Sequence, residues 1–309
     1  MLKYGVDQDG ILVCIEDTNR GKTHLKCPYC NSELTAKKGC EKQHHFAHIK
    51  ETCRTVANQE FPTLPLYNNF NIHLSGKDLE QLKFLWTEYG SKSYPISGDL
   101  VSPGLIKAGL LQKNIYLYPP AYEFINLGKI PVGALELRLF NELQEPLLLK
   151  KLLKLELAVE HAEHKNSLDL SHRFTDLILY RTQLKRILSC ALYFLEIQAN
   201  EETLHKIGVT QRPLLERVTE IERDLLAHYK TVSIKVLGTW LHRGNVELYF
   251  KHRYDHFNYP VGNLTEYYKF PSTDFLSVMG DLQQMQPKVL SEIERGIVLG
   301  HTPRLVRAN

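Results

Sequence analysis

The run CPYC, with two residues between Cys27 and Cys30, and the downstream run HHFAHIKETC, with His48 and Cys53, constrain this chain more than any other feature. A Cys-x2-Cys knuckle fixes one edge of a Zn2+ tetrahedron, because two thiolates three residues apart can both point at one ion across a tight turn. His48 and Cys53 stand at a spacing that lets a short helix present two further ligands. His45, three residues before His48, is the alternative to Cys53 for the fourth position. Four protein ligands leave no open coordination position for water, so the site is expected to be structural, stapling a segment too small to fold alone. Cys14 and Cys40 have no partner at metal spacing and are expected to be small buried hydrophobes.

No apolar run approaches the ~20 residues that a membrane span needs. The opening MLKYGVDQDG carries charges where a signal peptide would place its apolar region, so a cytoplasmic protein without membrane contact is expected. In that compartment metal is favoured over disulfide for the six cysteines. The formal charge of +3 says little as a total. Its distribution says more: from Arg20 to Arg54 eight Lys or Arg face three acids, a local net of +5 that leaves the rest of the chain at −2. A polyanion such as DNA would feel that patch through counterion release.

At 309 residues the chain is long enough for two or three domains. Residues 1–58 hold two short strand-like runs and the Cys/His cluster. FPTLPLYNNF then reads as a linker, because proline removes donors and stiffens the chain. Over residues 59–132 come a helix at LSGKDLEQLKFLWTEYG, a short helix around LVSPGLIKAGLLQKN and a strand pair at IYLYPP and YEFINLG. Helices followed by a hairpin suggest a winged helix, and the run from Gly-Leu-Leu to Tyr-Glu-Phe-Ile-Asn-Leu-Gly resembles the recognition helix and wing of bacterial winged-helix repressors. Residues 133–187 are Leu-rich at helical spacing and are expected to form a helical spacer, with His161 and His164 as surface groups.

From residue 188 the pattern turns to strands: CALYFLEIQA, then ETLHKIGVT, a helix opened by Pro213, and a third strand TVSIKVLGTWL. Leu214, Val218, Ile221 and Leu225 mark the buried stripe of that helix. Arg217 lies beside the stripe, where a permanent cation seeks an anion. A second helix, GNVELYFKHRYDHF, carries Glu247 near its N-terminus, where the helix dipole favours a carboxylate. LTEYYKF follows, and residues 273–309 read as a C-terminal helical tail.

Two resemblances follow from these runs. CPYC, KKG, HFAH and the nearby Cys resemble the N-terminal zinc domain of CoiA-like competence proteins over about residues 11–54. In those proteins a nuclease-like domain follows, but its acidic motif is not found here after residue 60, so only the zinc module carries over. About residues 188–270, within an expected domain of residues 188–272, resemble the GIY-YIG nuclease family, in its phage-type subgroup with Lys-Ile-Gly in the second motif. Ala191-Leu192-Tyr193 stands at the first motif and Lys206-Ile207-Gly208 at the second, with Arg217 as the helix arginine, Glu247 as the metal-binding glutamate and Glu266-Tyr267-Tyr268 as a C-terminal aromatic motif. Ala191 replaces a glycine and Lys206 a tyrosine, which leaves the identity of the general base open.

The resemblance implies a Mg2+-dependent endonuclease acting on DNA, double-stranded by preference, with catalytic Tyr193, Lys206, Arg217 and Glu247. Glu247 would hold Mg2+, an ion that keeps several of its waters. Arg217 would donate to phosphate oxygens and Tyr193 would activate water, as phenolate or as relay. Lys206 would either favour the phenolate or bind phosphate. His205 and His252 are reserve acid/base groups, expected at the surface. The expected architecture is an α+β multi-domain protein: zinc module, winged-helix-like middle, helical spacer and a GIY-YIG-like nuclease domain with a small central antiparallel sheet. The alternative is a catalytically inactive, zinc-containing DNA-binding protein.

Overall fold

Short alternating runs in the first fifty residues pair into a five-stranded antiparallel sheet of β1 (Tyr4–Val6), β2 (Leu12–Cys14), β3 (Gly21–Lys26), β4 (Glu33–Lys37) and β5 (His45–His48), in the order β2-β1-β3-β4-β5. The computed structural model describes residues 1–39, 43–58 and 60–300, so Cys40 lies outside the described residues. On β3 and β4 the period of two is plain: Leu25, Leu34 and Ala36 are buried while Lys22, His24, Lys26 and Lys37 face solvent. A single-turn helix, α1 (Arg54–Ala57), ends this stretch.

A second set of elements follows: α2 (Gly76–Glu88), β6 (Ile96–Ser97), α3 (Pro103–Lys107), β7 (Leu111–Asn114), β8 (Ala121–Phe124) and α4 (Asn126–Lys129). The Ser75 hydroxyl caps α2 by accepting from the Asp78 amide at 3.1 Å, and the strands form a sheet in the order β6-β8-β7. The strand pair is displaced from its expected position. IYLYPP is not a strand but the connection between β7 and β8, because Pro119 and Pro120 have no N–H to donate to a ladder. Tyr116 and Tyr118 in that connection are fully exposed.

Two long helices come next, α5 (Leu137–His164) and α6 (Leu170–Leu188), with His161 and His164 exposed on α5 as expected. Then come β9 (Ala191–Ala199), β10 (Glu202–Thr210), α7 (Leu214–Leu226), β11 (Val232–Leu241), α8 (Glu247–Arg253), β12 (Tyr267–Tyr268), α9 (Ser272–Gln283) and α10 (Glu292–Val298). β9 and β10 make a nine-pair antiparallel hairpin, and the sheet order is β11-β9-β10-β12. Pro213 stands at the N-cap of α7, one residue before the first turn it was expected to occupy.

The described chain divides into two compact units, one holding Met1–Leu64 and Leu148–Lys185, the other Pro65–Leu147 and Arg186–Leu299. In the first, Leu2, Ile15, Leu34 and Phe46 of the five-stranded sheet pack with Leu179 of α6. In the second, the β9–β12 sheet is covered on both faces. Tyr193, Leu195 and Ile197 pack under Leu214, Val218, Ile221 and Leu225, so the predicted stripe of α7 is its buried face. On the opposite face Leu192, Phe194 and Ile207 pack with Phe140 of α5, Phe250 of α8 and Leu282 of α9. The first turns of α5 and the C-terminal α9 thus belong to this core, a role that Leu-rich periodicity alone did not reveal.

The two reserve histidines are not surface groups. His252 is half-buried with Nε2 3.0 Å from the Ile130 carbonyl. His205 is 3% exposed, ringed by Phe194, Phe270 and Phe275, and neither ring nitrogen has a hydrogen-bond partner. Burial lowers its pKa to about 4. The unfolded chain therefore takes up a proton near pH 6.5 that the native state refuses until about pH 4, so stability falls as pH drops across that window and is whole above it. The loss is on the order of 3 kcal/mol, and His205→Phe should flatten the acid limb of a melting-temperature profile. An unchanged acid limb in that variant would show that other groups carry it.

A Cys3His cluster and a charged constellation

The end of β3, the end of β5 and the cap of α1 converge. Cys27, Cys30, His48 and Cys53 bring their ligand atoms within 4.8 Å of one another, close enough for one metal ion to be reached by all four. Cys27 and Cys30 flank a tight turn in which the Asn31 amide donates to the Cys27 carbonyl at 2.9 Å and the Cys27 amide donates to the Ser32 carbonyl at 2.8 Å. His48 is not on a helix, as its spacing suggested, but closes β5, and Cys53 is the N-cap of α1. Strand parity then separates the two histidines: His48 points into the buried side, while His45, an odd number of residues away, places Nδ1 2.9 Å from the Gln43 carbonyl and is not among the four.

The two thiols of the knuckle sit in opposite electrostatic surroundings. Burial pushes the Cys27 thiol up to about 12, whereas Cys30, against the same push, is held down at about 6 by hydrogen bonds involving Ser32 and His48. Cys30 Sγ lies 3.3 Å from His48 Nε2. Each thiol must lose its proton to ligate a divalent cation. Between them, Tyr29 donates from its hydroxyl to Asp176 Oδ1 of α6 at 2.7 Å, and Thr55 Oγ1 lies 3.1 Å from His172 Nε2 of the same helix. The knuckle is thereby tied to the helix that completes its core.

In the second unit Tyr193, Lys206, Arg217 and Glu247 come from four different elements, β9, β10, α7 and α8. Tyr193 is 1% exposed, and burial raises its pKa while the nearby Arg217 opposes that rise. Arg217 Nε donates to Tyr193 Oη at 3.4 Å and its Nη1 pairs with Glu220 Oε2 at 2.9 Å. Gly208 lies opposite Tyr193 across the hairpin, and a Cβ there would collide with the tyrosine hydroxyl. The glycine of Lys-Ile-Gly thus makes room for the phenol to lie across its strand.

Lys206, 4% exposed, packs its ammonium over the Tyr267 ring and pairs with Glu266 Oε2 at 3.1 Å. Lys251, one turn after Glu247 on α8, pairs with Glu247 Oε1 at 3.0 Å and with Glu266 Oε1 at 2.5 Å. Glu247, Lys251, Glu266 and Lys206 form an alternating chain of charge, and Arg217 is an electrostatic neighbour of Lys206 and Tyr193. Lys251 and the pairing role of Glu266 were not singled out by sequence. The signals that could have found them are the i, i+4 spacing of Glu247 and Lys251 and the placement of Glu266 beside two strand-forming tyrosines.

The N-terminal domain of the competence protein CoiA describes a family whose pattern matches residues 15–56. That segment contains all four residues of the cluster. No curated protein and no solved structure matches the chain. The N-terminal segment is therefore CoiA-like, with a Cys3His cluster fit for zinc. No helix among the described residues is long and apolar enough to cross a membrane.

Proposed function

We propose that this protein is a DNA endonuclease of GIY-YIG type, with a zinc-stapled N-terminal module. The convergence of Tyr193, Lys206, Arg217 and Glu247 from four elements carries the reading. A buried tyrosine braced by arginine, a buried lysine and a helix-end glutamate make little sense as packing, because each charge costs desolvation that an apolar residue would avoid. The hairpin, helix, strand, helix order of the unit, with the third strand beside the first, supports the same reading, as does the glycine that admits the tyrosine.

Phosphodiester hydrolysis needs an activated water and neutralisation of the charge that grows on phosphorus. Tyr193 Oη accepts from Arg217, so its own proton is free to point away from the guanidinium toward a substrate oxygen or water. Arg217 is the donor placed to meet a phosphate oxygen. Glu247 opens α8 with an ammonium 3.0 Å from its carboxylate, which does not fit an all-protein cage but fits one ligand to an ion that keeps its water. Mg2+ held there would offset charge on the phosphate. The exposed Lys22, Lys26 and Lys37 of the zinc module and the β6-β8-β7 region, which we read as a winged helix, would add contacts to double-stranded DNA.

Supercoiled plasmid incubated with the full chain and Mg2+ should be nicked or linearised, and Glu247→Ala should abolish this while a gel shift without added Mg2+ persists. One observation favours a second reading, an inactive DNA-binding relative: Lys251 already satisfies Glu247 without a metal. DNA binding with no Mg2+-dependent nicking of any DNA form would select that reading, and no DNA binding at all would exclude both.

A further inference from the structure

Lys206 and Lys251 reach one point from two elements, and a single carboxylate lies across them. Glu266 gives Oε2 to Lys206 at 3.1 Å and Oε1 to Lys251 at 2.5 Å, so its two oxygens are divided between two ammonium groups. The three partners differ in exposure. The Lys206 side chain is 5% exposed and that of Lys251 24%, but that of Glu266 is 43% exposed, at the outer side of the group. A buried ammonium cannot give up its counter-charge to water without a large cost, whereas a half-exposed carboxylate is rehydrated cheaply when it swings out. The carboxylate is therefore the exchangeable member of the group. Lys251 keeps Glu247 as a second partner if Glu266 leaves; Lys206 has only the Tyr267 ring among the described residues.

We propose that Lys206 and Lys251 form a binding site for one phosphate group of a nucleic acid, and that Glu266 occupies this site as a substrate mimic which the phosphate displaces. A carboxylate whose two oxygens are shared between two cations presents the same pair of anionic acceptors as the non-bridging oxygens of a phosphodiester. Arg217 and Tyr193 are electrostatic neighbours of the group, so a phosphate held there would be within electrostatic reach of the residues assigned above to chemistry. That the phosphate belongs to DNA rests on the nuclease reading; the anion site rests on the geometry of the three side chains.

The test is equilibrium binding of a fluorescein-labelled 25-base-pair duplex to the full, zinc-loaded chain without added Mg2+, so that no turnover occurs and the zinc module stays intact, at fixed ionic strength. Glu266→Gln keeps the shape of the side chain and removes the competing charge, and should tighten binding about tenfold, the size of one charge-assisted contact. Lys206→Met should weaken it by a similar factor, and Lys251→Gln serves if the buried Lys206 variant fails to fold. Inorganic phosphate should raise the melting temperature of Glu266→Gln more than that of the wild type, compared with chloride at equal ionic strength. Unchanged or weaker DNA binding by a folded Glu266→Gln protein would overturn the proposal. If that variant binds more tightly but no Glu247-dependent cleavage exists, the anion site stands and the nuclease reading falls. If Glu247-dependent cleavage exists but Glu266→Gln binds DNA as the wild type does, the nuclease reading stands and the anion site falls.

Discussion

Purified protein is expected to carry about one tightly held Zn2+ per chain, and Cys27→Ser is expected to release it and unfold the N-terminal sheet. The five strands are three to six residues long. Their core, with Leu2, Tyr4, Ile15, Leu25, Leu34 and Phe46 closed by Leu179 of α6, is built on short strands, and small cores of this kind are marginal without a staple. Against this, structural zinc contributes about 10–16 kcal/mol of apparent binding free energy in finger peptides, more than such a core can supply alone. Cys27 is 2% exposed, so serine there leaves a buried hydroxyl as well as a broken site. The expected result is loss of zinc by elemental analysis together with rapid proteolysis within residues 1–64. The two tryptophans, Trp86 and Trp240, lie in the other unit and report on it separately by fluorescence. A metal-free protein whose N-terminal sheet resists protease would sink the assignment, and a chelator that strips zinc without altering digestion would do the same.

The cluster was legible because metal coordination is written in local spacing: Cys27 and Cys30 share one turn, and His48 and Cys53 lie five residues apart. What spacing could not supply was the scaffold, and the ligands thought to share a helix sit on a strand end and a cap. The β9–β10 hairpin and α7 were legible for a related reason, since Tyr193, Leu195 and Ile197 alternate and Leu214, Val218, Ile221 and Leu225 recur at helical spacing. His205 was misjudged because its burial depends on Phe270 and Phe275, some seventy residues away, which no local pattern couples to it. The charged group of Lys251 and Glu266 escaped notice likewise. Its members lie on β10, on α8 and just before β12, and only the register of β12 against Lys206 brings them together. The Tyr-rich connection at 115–120 misled in the opposite sense, because β-forming side chains outvoted two prolines that cannot donate to a ladder.

On the proposed nuclease reading, Arg217→Ala is expected to lower the Mg2+-dependent cleavage rate by about 10²–10³-fold, the loss typical when one preorganised transition-state donor is removed, while DNA binding changes far less. The guanidinium uses Nε on Tyr193 and Nη1 on Glu220, leaving Nη2 without a hydrogen-bond partner among the described residues. Glu220 is itself clamped by both nitrogens of the Arg212 fork, at 2.7 and 2.8 Å, so the arginine is held in place before substrate arrives. Arg217→Lys should recover little, because one ammonium cannot brace the phenol and meet a phosphate oxygen at once. Tyr193→Phe keeps the ring across Gly208 and removes only the hydroxyl, and a loss of similar size without a drop in melting temperature would place that oxygen in the chemistry. The double variant decides how the two act. If Arg217 works chiefly through Tyr193, Arg217→Ala with Tyr193→Phe should lose hardly more than the worse single variant, since groups that act as a unit are strongly non-additive. Losses that multiply would instead mean that the arginine meets the phosphate independently of the phenol. Cleavage by Arg217→Ala at the wild-type rate would remove it from the mechanism and leave its contact with Tyr193 as packing.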